Sequence, residues 1–149
     1  MTRTFLLWLH IASVAGWLGA NYVQLVLAPR FAKASPEAAK AWARQTAWLV
    51  ERYYNAIGAL VAISGVLLVL DGPWSWHDRF IWVGIAVVVI GGALGGLAFG
   101  PLSRRQVAAL EAGDASTAAE VQRRVTPLAV LDTALVLLAV WAMVDKWGL

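Results

Sequence analysis

No cysteine occurs anywhere in the 149 residues. That absence excludes a disulfide framework, a thiolate haem ligand, a cysteine-ligated iron–sulfur cluster and a cysteine nucleophile. Methionine is almost as scarce: Met1 and Met143 are the only two, so the soft thioether arrays that bind Cu(I) are missing as well. Charge is the third shortage. Only 14% of residues are Asp, Glu, Lys or Arg, whereas 60% are hydrophobic, far from the balance of a water-soluble domain. The charges cluster between long apolar runs, the pattern that arises when hydrocarbon excludes charge and only connecting segments carry it. The net charge of +3 belongs mostly to those connections. It therefore speaks to topology and anionic lipid headgroups, and no nucleic-acid partner is expected.

What is present is long apolar sequence. Crossing hydrocarbon takes about 20 apolar residues in a helix, because only an internally hydrogen-bonded backbone is tolerated there. Four stretches qualify, 5–28, 53–70, 80–100 and 127–144, and they predict one all-α domain, a polytopic membrane four-helix bundle with the lipid bilayer as its first partner. The first stretch is long for a signal peptide and carries His10, Asn21 and Gln24. Connection 29–52 holds Arg30, Lys33, Lys40, Arg44 and Arg52, and connection 101–126 holds Arg104, Arg105, Arg123 and Arg124. The opposite side has Arg3, Arg79 and Lys146. This bias predicts cytoplasmic connections and non-cytoplasmic termini. Tryptophan placement agrees, with Trp8, Trp74, Trp76, Trp82, Trp141 and Trp147 forming an outer belt, Trp42 and Trp48 inside, and Trp17 alone at mid-membrane.

Within the connections, Ser35-Pro36-Glu37 combines an N-cap, a proline at N1 and an early carboxylate, and predicts an interfacial helix. Segments 104–112 and 116–124 look helical around Gly113-Asp114, so spans three and four are expected to extend as a helical hairpin. Thr126-Pro127 is expected to cap or kink the fourth helix.

Polar residues inside the spans are the candidate sites, since such groups usually face protein or a wet cavity. His10, Trp17, Asn21 and Gln24 lie along one face of the first helix, seven, four and three residues apart. Antiparallel order puts Asn21, Gln24, Glu51, Arg52, Asn55 and Asp132 near one depth. The amides are expected to bond Asn55 and neighbouring helices, and Asp132 either pairs with Arg52 or relays protons or cations. At the outer end, His10 could approach Asp71, His77 and Asp78. A neutral imidazole pair suits haem iron, and His with carboxylates suits a divalent metal, so His10 and His77 are the metal candidates. Gly91, Gly92, Gly95 and Gly96 form overlapping small-xxx-small spacings in span three. These allow close helix packing within the bundle and against a second copy or another membrane subunit.

Leu7-Trp8-Leu9-His10, Trp17-Leu18-Gly19 and Pro29-Arg30-Phe31 carry a further signal, joined by Ser64-Gly65, Gly113-Asp114 and the ending from Trp141 to Lys146. Together they resemble an uncharacterised four-span bacterial membrane protein family, related to the copper-resistance protein D membrane domain and the oxygen-independent protoporphyrinogen oxidase. The resemblance implies a location in the bacterial inner membrane. In the oxidase a first-helix histidine and a lysine at the start of the third helix are functional. The histidine corresponds to His10, which implies haem b as a cofactor, while the lysine position holds Arg79, which stays protonated and cannot act as a neutral ligand or base. Three functions follow as expectations: a non-catalytic bundle or accessory subunit packing against itself or a membrane partner, a haem-, porphyrin- or metal-binding redox protein using His10, and a proton-coupled carrier using Asp132.

Overall fold

The computed structural model describes residues 2–148. Among them are four long helices and no strands: α1 (Thr2–Ala34), α2 (Pro36–Leu70), α3 (Arg79–Glu111) and α4 (Ala115–Asp145). Each is long and apolar enough to cross a membrane. This is the architecture of a multi-pass membrane protein. At 1.5 Å per residue such helices measure about 50 Å, well beyond the hydrocarbon thickness. The surplus lies at the arginine-rich end, opposite both termini.

Local chemistry sets the helix ends. Ser35 stands in an extended conformation and its Oγ accepts from Ala38 N at 3.1 Å, with Pro36 at the first helical position where its missing N–H costs nothing. Gly113 adopts a positive φ of 76°, which a side chain would strain, and so closes α3. Asp114 then opens α4 by accepting from Thr117 N at 3.0 Å. The segment expected as an interfacial helix does not end before the span. Pro36–Trp48 runs straight into the apolar part of α2 through a π-helical turn, Leu49–Tyr53. Thr126 donates to the Gln122 carbonyl at 3.0 Å inside α4, and Pro127 lies within that continuous helix.

A second π-helical turn, Leu94–Phe99, lies in α3 just before Gly100-Pro101. Pro101 has no N–H to return to the preceding turn and its ring crowds that turn's carbonyl. The wider turn relieves the conflict, with Gly100 N–H reaching the Gly95 carbonyl five residues back.

Around the bundle α1 lies against α2 and α4, and α3 against α4. The α2–α3 contact closes the ring, and within the apolar sections it is the loosest of the four. Beyond them, exposed ion pairs Arg44–Glu111 (2.8 Å) and Glu51–Arg104 (3.1 Å) join α2 to α3. Such solvated pairs contribute little energy and mainly set register. One core cluster holds Trp17, Val61, Val87, Val136 and Ala139. A second, near the termini, holds Phe80, Ile81 and Ala142, with Lys146 Nζ over the Trp74 and Phe80 rings at 4.8 and 4.9 Å. Lipid tails are as apolar as this core, so its packing gains no water-release energy and polar contacts between helices carry more of the specificity.

Candidate functional site

Asp132 lies one and a half turns into α4 from Pro127 and is 5% exposed. Its Oδ2 accepts from Trp17 Nε1 at 3.0 Å and from Asn21 Nδ2 at 2.8 Å, both on α1. Asn21 Nδ2 also donates to Thr133 Oγ1 at 3.2 Å, and Asn21 Oδ1 accepts from Tyr54 of α2 at 2.6 Å. Tyr54 Oη in turn accepts from Gln24 Nε2 at 2.6 Å. Three helices thus meet in one chain of side-chain hydrogen bonds, each link fixing the orientation of the next.

The π turn of α2 explains how two successive tyrosines both reach α1. Tyr54 N–H bonds the Leu49 carbonyl five residues back, and the extra residue in that turn shifts the face that the following side chains present. Tyr53 donates to the Gly16 carbonyl at 3.0 Å while Tyr54 enters the polar network. Asn55, next along, is exposed and bonds its own helix through the Glu51 carbonyl at 2.8 Å.

Asp132 Oδ1 is different. It accepts no hydrogen bond from the described residues and borders a cavity of about 510 Å³. Gly91 on α3 makes room for it: a Cβ there would stand 2.7 Å from the Trp17 ring and 3.3 Å from Oδ1. The cavity extends between α2, lined by Gly58, Ala59 and Ala62, and α3, lined by Gly92 and Gly95. Towards the basic end it meets Trp42, Phe99, Gln106 and Gln122. No lysine, arginine or histidine lines it.

Of the polar residues singled out from sequence, Asn21, Gln24 and Asp132 share the network, whereas Arg52 and Asn55 do not. Arg52 is exposed and forms no ion pair with Asp132. The glycines divide in the same way. Gly91 is a close-approach position inside the bundle, but a Cβ on Gly92, Gly95 or Gly96 would meet nothing within 4 Å.

His10 is buried between α1 and α2, its ring 3.2 Å from where a Cβ on Gly65 would lie. Its Nδ1 is 3.0 Å from Ser64 Oγ, and Ser64 gives its single proton to the Leu60 carbonyl at 2.5 Å. With that proton on the backbone, Ser64 Oγ is left to accept, an arrangement that assigns the proton of a neutral ring to Nδ1. His10 borders neither the large cavity nor the shallow groove at the basic end. A macrocycle needs open space beside its ligand, and this packed setting does not fit haem. His77 sits in the exposed turn before α3, its Nδ1 3.0 Å from Ser75 Oγ. Among the described residues no three His, Cys, Asp or Glu side chains converge to hold a metal.

Comparison with protein-family models, curated proteins and solved structures finds no match to this chain. Function therefore has to come from the site itself.

Sequence reasoning missed Tyr54, Thr133 and Ser64. The hydroxyls at the start of the second apolar stretch were a usable signal for the first, since Tyr54 precedes Asn55 at the depth of Asn21. Nothing in residue order signals the π turn that chooses between them.

Proposed function

We propose that the protein is a non-catalytic bundle of the bacterial inner membrane that holds a small lipid-soluble molecule in the cavity between α2 and α3. The arginine-rich end lies in the cytoplasm and both termini lie outside, following the charge bias. One observation carries the binding reading: a buried carboxylate has one oxygen fixed by two donors and the other bare towards a cavity of about 510 Å³. A group held this rigidly, in a concave and mostly apolar space, is built to orient a ligand. Polar atoms inside a protein usually have a partner, and Oδ1 has none from the described residues.

The test fills the cavity without touching the network. In nanodiscs, dodecanol, dodecylamine and dodecyl acetate are screened for a rise in unfolding temperature. At least one should raise it, and Gly95→Leu should cancel the rise while leaving the apo protein folded. If no probe acts, or the leucine variant responds like wild type, the binding reading fails.

Assembly is a second reading, favoured by α3. Gly96 has open space where a side chain would stand, and Leu97 beside it is 82% exposed. Another copy or a membrane subunit could pack closely there. Leu97→Cys introduces the chain's single thiol, and oxidation in native membranes should give a disulfide-linked dimer if copies meet at this face. Monomer alone would rule out that homodimer.

A further inference from the structure

The donors around Asp132 are all spent inside the protein. The indole proton of Trp17 and one amide proton of Asn21 go to Oδ2, and the other Asn21 proton goes to Thr133. Tyr54 gives its hydroxyl proton to Asn21, and Thr133 gives its own to the Ala129 carbonyl. Both Gln24 amide protons are used, on Tyr54 Oη and the Ala20 carbonyl. What remains on these residues is acceptor capacity, Asp132 Oδ1 and Gln24 Oε1; elsewhere on the lining Asn55 keeps one amide proton beyond its bond to the Glu51 carbonyl.

No cationic side chain lines the space to answer the carboxylate. Oδ1 is reached from the cavity and is not sealed in the packing, so its donor must come from water or a ligand, and a ligand that supplies both charge and N–H groups answers it more strongly than water does. The aromatic lining points the same way, since Trp17 and Tyr54 lie edge to face with centroids 6.4 Å apart and Trp42 and Phe99 border the same space. Towards the lipid, Ala59 and Gly92 are exposed where α2 and α3 pack loosely, so an apolar chain can leave the cavity without crossing a polar surface.

From this imbalance we infer that the cavity's ligand is a lipophilic amine in its protonated form. Its ammonium donates to Asp132 Oδ1 and its apolar chain passes between α2 and α3 into the bilayer. This assignment rests on the reading of the cavity as a binding site.

Dodecylamine and dodecanol test it by isothermal titration into protein in nanodiscs of zwitterionic lipid, at neutral pH where a primary alkylamine is protonated. Wild type should bind the amine at least about tenfold more tightly than the alcohol, because a site built to receive hydrogen bonds rejects a ligand that under-supplies them. In Asp132→Asn the preference should fall to about twofold or less, since the amide oxygen can still accept from Trp17 and Asn21 but the charge is gone. Equal wild-type affinities, each lost in Gly95→Leu, would overturn the amine assignment and leave the binding pocket standing. Binding of neither probe would overturn both. The wild-type ratio needs no variant to fold, and an unchanged ratio in a folded Asp132→Asn protein would also overturn the assignment.

Discussion

Trp17 of α1 fills the space that a side chain on Gly91 of α3 would occupy, with its ring 2.7 Å from the position of a Cβ there. The two residues are diagonal partners across the bundle. Together they place an indole N–H on one oxygen of Asp132 and leave the other open.

Gly91→Ala should therefore be damaging although alanine favours helices. The added methyl must push back a ring already held by its bond to Asp132, and overpacking of this kind costs about 1–3 kcal/mol. Gly92→Ala, with nothing within 4 Å, should be close to neutral. Unfolding of the two variants in mild detergent, compared with wild type, checks the contrast.

Asp132→Leu removes the acceptor of two buried donors, Trp17 Nε1 and Asn21 Nδ2. Each donor left bare is worth about 1–3 kcal/mol, so this variant should unfold well below wild type, whereas Asp132→Asn should retain most of the stability. Equal losses for the two would show that the negative charge, which both variants remove, matters more than the acceptor oxygen that asparagine keeps.

The His10–Ser64 bond predicts a tautomer. In protein labelled with nitrogen-15 histidine, His10 should give the spectrum of a neutral ring protonated at Nδ1. Ser64→Ala should shift that balance and lower stability by about 0.6–1.7 kcal/mol, the range of hydrogen bonds between membrane helices. A wild-type ring protonated at Nε2 would contradict the Ser64 geometry.

At the basic end, hydrogen bonds from Ser116 and Thr117 hold the Asp114 carboxyl well below its ordinary value of 3.8. A carboxyl depressed on folding stabilises fully above its unfolded pKa. That contribution declines as pH falls below 3.8 and is gone once pH passes the folded value. Amide exchange in the first turn of α4 should accelerate across that acidic interval. Asp114→Asn, which still caps but does not titrate there, should lack the acceleration.

The four helices were legible because hydrophobic length is a local property. His10, Trp17 and Asn21 were also legible as one inward face, since helical spacing alone aligns them and all three are buried. The partnerships were not. Asn55 and Tyr54 sit at nearly the same depth, and the choice between them depends on a widened turn whose cause is not written in the neighbouring residues. Arg52 was a reasonable partner for Asp132 by depth, yet it faces outward.

By itself the sequence determined that this chain forms four long apolar helices and that few polar groups enter them. Hydrocarbon leaves the backbone no alternative and tolerates few charges, so residue order suffices. Only the tertiary structure decided that Asp132 meets an indole and an amide in place of an arginine. It also decided that Gly92, Gly95 and Gly96 of α3 border open space instead of a packed neighbour. Those outcomes depend on the angular position of each residue after two π turns and on the loose approach of α2 to α3, both set by how whole helices pack.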